Sequence, residues 1–112
     1  MNLPARIQKP AKRSSRIKCP AHRSWVRSHH CSVPNCQELP IECAHIRLGS
    51  HAGMGEKPDD DKCISLCWRH HKESHSIGEA SFAKQYSLDL QALAAEFTSR
   101  SPHRNKLRPN RP

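Results

Sequence analysis

The strongest constraint on the fold is a set of two closely spaced ligand pairs, Cys31 with Cys36 and Cys67 with His70. Zinc prefers four tetrahedral nitrogen or sulfur ligands, and each pair can supply one edge of such a tetrahedron. Only 35% of the 112 residues are hydrophobic, and so small a core usually needs a disulfide or a metal to stay folded. The spacing therefore predicts a structural zinc site that ties the N-terminal part of the chain to its centre.

The remaining cysteines leave alternatives open. Cys43 and Cys63 could replace one of these ligands, and Cys19 with His22 could form a further half-site. A secreted disulfide scaffold is disfavoured, because residues 1–28 contain no apolar signal segment and the cysteines stand beside histidines at metal spacing. No apolar run is long enough to span a membrane, so we expect a cytoplasmic protein without a membrane partner.

Basic residues are concentrated at both ends of the chain. Residues 1–28 carry eight Lys and Arg, residues 99–112 carry five, and neither segment contains an acid. We expect these segments to be flexible basic arms around a folded domain at 29–98. Cationic arms beside a mildly acidic centre favour a polyanionic partner such as DNA, although they could also serve only as solubilising tails.

Hydrophobic periodicity predicts an α+β fold. Strands are expected at 41–47 and 62–66, after a tight turn at 31–40. Helices are expected from Cys67 to Gly78, from Glu79 to Tyr86 and from Leu88 to Thr98, the last with Ser87 as its N-cap. The two C-terminal helices are assigned to core packing.

A second candidate metal site directly follows the first. His71 and His75 are four positions apart on the predicted helix, so they share a face and can bind one divalent ion. His70 points about 100° away, which leaves it free for the zinc pair. His45 lies on the first strand, where it could face a substrate. An isolated histidine pair of this kind could instead be a solvent-exposed polar helix face.

Taken together, these residues resemble the HNH endonucleases of the ββα-metal, or His-Me finger, superfamily. The stretch from Ser65 to His75 is similar to the family's LCxxCHxxKH ending, with His70 in place of the second cysteine. The opening cysteine pair matches Cys31 and Cys36, which are separated by four residues. The strand around His45 matches the one that carries the family's general base. The loop at 53–60 resembles that of small prophage HNH proteins, including recombinase-dependent phage nucleases.

The resemblance implies a treble-clef-like, zinc-stabilised domain that hydrolyses DNA phosphodiester bonds with a divalent ion. His45 would be the general base, and His71 with His75 would hold catalytic Mg²⁺, Mn²⁺ or Zn²⁺. The structural zinc ligands would be Cys31, Cys36, Cys67 and His70. The residues expected to contact DNA phosphates are Arg47, Lys62, Arg69 and Lys72. A recombination or phage protein could be a further partner.

Two positions depart from the family pattern. The family usually has Asp or His directly before the base as a metal ligand, where this chain has Ala44. The family's middle Asn, which orients the base, falls by spacing on Lys62, so a backbone carbonyl could orient the base instead. Asp60, Asp61, His51 or water could complete the metal shell. The main alternative is therefore a non-catalytic treble-clef zinc module that binds DNA or a phage protein.

Overall fold

The computed structural model describes residues 3–7, 16–48 and 58–107. Within them the fold is α+β, with a two-stranded antiparallel sheet and four α-helices. The elements are α1 Pro20–Arg27, β1 Ile41–His45, β2 Cys63–Cys67, α2 Trp68–Ile77, α3 Glu79–Tyr86 and α4 Leu90–Arg100. Short 3-10 turns occupy Asp60–Lys62 and Arg104–Leu107.

The two predicted strands are confirmed, and they pair with each other as an antiparallel hairpin. Ile41 lies opposite Cys67, and His45 lies opposite Cys63. All of β2 is buried, whereas β1 alternates more exposed positions with the buried Ala44. The strand β2 is therefore the centre of the domain, with helices packed around it.

The first strand ends two residues earlier than predicted. The backbone N–H groups of Arg47 and Leu48 donate to the carboxylate of Glu79, at distances of 2.8–3.1 Å. These groups therefore bond to the start of α3 rather than to a neighbouring strand.

The start predicted for the last helix was wrong by two residues, and so was its cap. α4 begins at Leu90, and its N-cap is Asp89, whose carboxylate accepts the Ala92 N–H at 3.0 Å. Ser87 instead adopts a left-handed conformation with φ 54° at the end of α3. An aspartate is as good a cap as serine, and its charge also suits the helix N-terminus.

The predicted apolar stripe on α4 is confirmed as part of the core. Leu90 and Ala94 are each only 2% exposed, and Leu93 and Phe97 pack against the same cluster. The other buried hydrophobic residues of this core are Cys31, Val33, Ala44, Ile46, Ile64, Leu66, Cys67 and Phe82.

Both expected flexible arms contain ordered structure, so their predicted boundaries were wrong. Residues 20–27 form α1, which starts with Pro20 and packs on both strands. His22 and Val26, one turn apart, are 0% exposed, so they give α1 an inward face. At the other end Leu107 is 2% exposed and anchors the final turn. Residues 1–2, 8–15 and 108–112 of the two arms lie outside the described residues.

Among the described residues, no helix combines the length and the apolar character that crossing a membrane requires.

Candidate functional site

A cluster of three cysteines and one histidine joins the N-terminal turn to the centre of the fold. The ligand atoms of Cys31, Cys36, Cys67 and His70 all lie within 4.8 Å of one another. His70 Nδ1 is 3.5 Å from Cys31 Sγ, 3.5 Å from Cys36 Sγ and 3.2 Å from Cys67 Sγ. The sulfur atoms of Cys36 and Cys67 are 3.8 Å apart. This arrangement can hold a metal ion, as the spacing of the ligands predicted.

Local backbone structure brings the two halves of the cluster together. Asn35 adopts a positive φ of 66°, and the Cys36 N–H donates to Val33 at 3.2 Å, which closes a tight turn. The Ser32 N–H donates to the Ser65 carbonyl at 2.8 Å and attaches this turn to β2. The other two ligands lie where β2 ends and α2 begins, so one strand-to-helix junction fixes them both.

The cluster is shielded from solvent. Cys31 is 8% exposed, Cys67 0% and His70 7%. Burial raises the pKa of the Cys31 thiol to about 11, because a thiolate there would lose its hydration. The alternative ligands Cys43 and Cys63 lie on the hairpin and are not part of this four-residue cluster.

A separate cleft of about 520 Å³ brings together the three histidines singled out for chemistry. His45 comes from the end of β1, and His71 and His75 come from one face of α2. The other residues lining this cleft are Arg23, Arg27, Glu42, Cys43, Arg47 and Pro58. The cleft therefore combines imidazole groups with three guanidinium groups.

The imidazoles of His71 and His75 face each other on α2. Their Nε2 atoms are 3.2 Å apart, and Nδ1 of His71 is 2.8 Å from Oε1 of Glu42. Histidines that bind metals commonly donate their second ring N–H to a carboxylate, which fixes the tautomer and leaves the other nitrogen for the ion. Glu42 is placed to do this for His71. Ala44 is 2% exposed and offers no ligand.

His45 is held by a buried carboxylate. Its Nε2 lies 2.8 Å from Oδ1 of Asp60, whose side chain is 0% exposed. Asp60 also accepts hydrogen bonds from Arg16 and from the Cys19 N–H, and lies 3.2 Å from Nε of Arg23. Burial would raise the pKa of Asp60, but the contacts with His45, Cys19, Arg16 and Arg23 outweigh it and leave the pKa below its ordinary value.

Neither Asp60 nor Asp61, the two carboxylates considered as extra metal ligands, lines the cleft that contains the histidine pair. Asp60 is behind His45, and Asp61 faces α4 beside Thr98. Burial raises the pKa of Asp61. His51 and residues 53–57 of the candidate loop lie outside the described residues.

The four residues expected to contact phosphates are not gathered at one place. Arg47 lines the cleft, whereas Lys72 lines a neighbouring depression that shares His71 and His75 with it. Arg69 is 3.2 Å from Glu38, and Lys62 is 4.0 Å from Asp61, both away from the cleft.

Sequence reasoning missed Glu42, Arg23 and Arg27. The two arginines were assigned to a flexible arm, yet Pro20, a residue favoured at the first position of a helix, is a sequence signal that could have indicated α1. Glu42 is three positions before His45, so the alternation of side chains along a strand predicts that the two face opposite sides. Nothing in the sequence shows that its side chain reaches His71.

Comparison with curated proteins finds a relative in Escherichia coli (strain K12), named "Uncharacterized protein YdfU", which is 28% identical over 90 residues. The match covers 75% of this chain and 26% of that protein, so the chain spans about a quarter of the relative's length. That name states no activity. No family model matches the chain, and no solved structure matches it.

Proposed function

We propose that this protein is a zinc-stabilised, metal-dependent endonuclease of the HNH type that hydrolyses DNA phosphodiester bonds. One observation carries the proposal: a single cleft, bordered by arginines, collects His45 from β1 and His71 with His75 from α2. The strand β1 and the helix α2 that supply them are separated in the chain by β2, and β1, β2, α2 is the order expected of a ββα-metal domain.

The dimensions of the cysteine and histidine cluster support zinc as the structural metal. Zinc–sulfur bonds of about 2.3 Å and zinc–nitrogen bonds of about 2.0 Å place tetrahedral sulfur atoms about 3.8 Å apart and sulfur and nitrogen about 3.5 Å apart. The sulfur atoms of Cys36 and Cys67 are 3.8 Å apart, and two of the three sulfur–nitrogen distances are 3.5 Å. Thiolate ligands also select zinc over magnesium or calcium.

The chain's own groups can perform the hydrolysis in the following way. His45 in its neutral form takes a proton from a water molecule, whose oxygen forms a bond to phosphorus while the bond to the 3′ oxygen breaks. The leaving oxygen then takes a proton from solvent. His71 and His75 would hold the divalent ion, which when bound supplies positive charge to the phosphate and the leaving oxygen. Arg23, Arg27 and Arg47 would contact the neighbouring phosphates.

A plasmid-cleavage assay with Mg²⁺, Mn²⁺, Ni²⁺ and Zn²⁺ tests this function. We expect nicking or linearisation with at least one of these ions. His75→Ala should raise the ion concentration needed for half-maximal cleavage by about tenfold or more, because one ligand is lost. His30→Ala is the matched control, since His30 is exposed and lies outside this cleft. Absence of cleavage with every ion and every DNA form would contradict the proposal.

The outer tails should contribute to DNA affinity through their charge. Deleting residues 1–15 and 108–112 removes six Lys and Arg and spares the described elements from α1 onward. We expect weaker DNA binding and a shallower dependence of log affinity on log salt concentration, because fewer counterions are released. A full-length variant with these six residues changed to Gln should behave in the same way. Unchanged affinity across the salt series would mean that the tails only solubilise the protein.

A DNA-binding zinc module without catalysis is the second candidate. The observation that favours it is Ala44, which is buried and leaves the position of the family's carboxylate or histidine ligand without a donor. Such a module would bind DNA with the same salt dependence but would not cleave it. The plasmid-cleavage assay separates the two candidates, because only an enzyme would nick or linearise the DNA that both would bind.

A further inference from the structure

We infer that Asp60 is the positioning residue for His45, holding its imidazole in the one tautomer and orientation that leave Nδ1 as the proton acceptor in the cleft. This inference rests on the proposed function. It assigns the orientation of His45 to the side chain of Asp60, at the start of the 3-10 turn before β2, rather than to Lys62 or a backbone carbonyl. The supporting observation is the contact of 2.8 Å between His45 Nε2 and Asp60 Oδ1.

The hydrogen bonds around Asp60 determine which ring nitrogen of His45 carries the proton. Oδ1 faces Nη1 of Arg16 at 3.0 Å as well as Nε2 of His45, and Oδ2 accepts the Cys19 N–H at 2.7 Å. Nε of Arg23 lies 3.2 Å from Oδ2. An ionised carboxylate with two cationic neighbours only accepts hydrogen bonds. Nε2 of His45 must therefore donate.

The remaining nitrogen of His45 is then suited to accept a proton. In a neutral imidazole, protonation of one ring nitrogen leaves a lone pair on the other. Among the described residues, none forms a hydrogen bond with Nδ1 of His45, and the side chain lines the cleft. Its side chain is 18% exposed while that of Asp60 is 0% exposed, so water reaches the imidazole from the cleft and not from the carboxylate side.

The same residues could be taken for another metal site, since ligand atoms of His45, Asp60 and Cys63 lie within 4.8 Å of one another. The charges around Asp60 argue against it. Arg16 and Arg23 already balance this carboxylate, and a divalent cation placed there would face both guanidinium groups at close range. A buried carboxylate held by cations and bonded to an imidazole is instead the arrangement that orients a general base.

Nuclear magnetic resonance of the full chain, loaded with its metal and labelled with ¹⁵N at histidine, tests the tautomer directly. The signals of His45 are assigned by their loss in His45→Ala. We expect a protonated Nε2 and an unprotonated Nδ1 at neutral pH. The opposite tautomer would overturn the inference. Because this measurement needs no cleavage, it tests the tautomer separately from the proposed function and without any Asp60 variant.

Kinetics of Asp60→Asn provide the second test. We expect kcat to fall by about a hundredfold or more with KM for DNA nearly unchanged, because an amide can hold His45 in the wrong tautomer. Asp60→Glu should restore part of kcat. Asp61→Asn is the matched control, since this neighbouring carboxylate faces α4. A folded Asp60→Asn protein with the wild-type kcat would overturn the inference. It would also be overturned if Cys63→Ser lost a bound metal ion that the wild type holds, because that ion would occupy the site of His45, Asp60 and Cys63.

Discussion

Removing the structural metal with a strong chelator should unfold this protein, with loss of helical circular dichroism and of the cooperative thermal transition. The purified chain should contain one tightly held zinc ion at the cluster formed by Cys31, Cys36, Cys67 and His70. Structural zinc contributes on the order of 10 kcal/mol to small domains, which is comparable to the entire stability of a domain, about 5–15 kcal/mol. The hydrophobic core should therefore not hold the fold without the ion.

Two cysteine variants separate this effect from a general sensitivity to cysteine loss. Cys67→Ser removes a fully buried ligand that also caps α2 by accepting the His70 N–H, so we expect a largely unfolded product. Cys43→Ser changes a half-buried cysteine outside the cluster and should melt close to the wild type. A metal-free protein with an unchanged melting transition would exclude the structural site.

Replacing His45 by alanine should abolish most cleavage without removing the zinc or the DNA affinity. The variant removes the proposed proton acceptor, and general-base catalysis is typically worth about 10²–10⁴-fold in rate. We expect kcat to fall within that range in the plasmid assay. The fold should remain, because Asp60 keeps its contacts with Arg16, Arg23 and Cys19.

Added imidazole gives this variant a stringent control. Loss of the side chain leaves space in the cleft beside Asp60, and a free imidazole bound there should restore part of the rate. The same additive should not restore His75→Ala to the same extent, because that defect is in ion binding. Wild-type cleavage by a folded His45→Ala protein would rule out the proposed mechanism.

Ligand spacing and hydrophobic periodicity were sufficient to predict the cluster of potential metal ligands, both strands and α3. Pairs such as Cys67 and His70 are close in sequence, so their geometry follows from the local strand-to-helix junction. The distant half, at Cys31 and Cys36, was found because zinc requires four ligands. These predictions depend on short-range structure combined with a fixed coordination number.

The surroundings of His45 could not be predicted in the same way. Asp60 reaches His45 across the residues that connect the two strands, and Arg16 reaches Asp60 from 44 positions away. Contacts of this kind depend on how α1 packs against the hairpin. The basic composition of residues 1–28 suggested disorder, and it concealed the buried face formed by His22 and Val26.

The packing of α1 also has a consequence for the order of assembly during synthesis. Nδ1 of His22 lies 2.8 Å from Oγ of Ser101, a contact between residues 79 positions apart. Although the ribosome makes α1 before α4, this helix cannot complete its packing until the segment beyond α4 has emerged. Contacts across such long separations form late, because closing the intervening loop costs entropy. The cleft, which α1 lines with Arg23 and Arg27, would therefore reach its final form only after Ser101 has been synthesised.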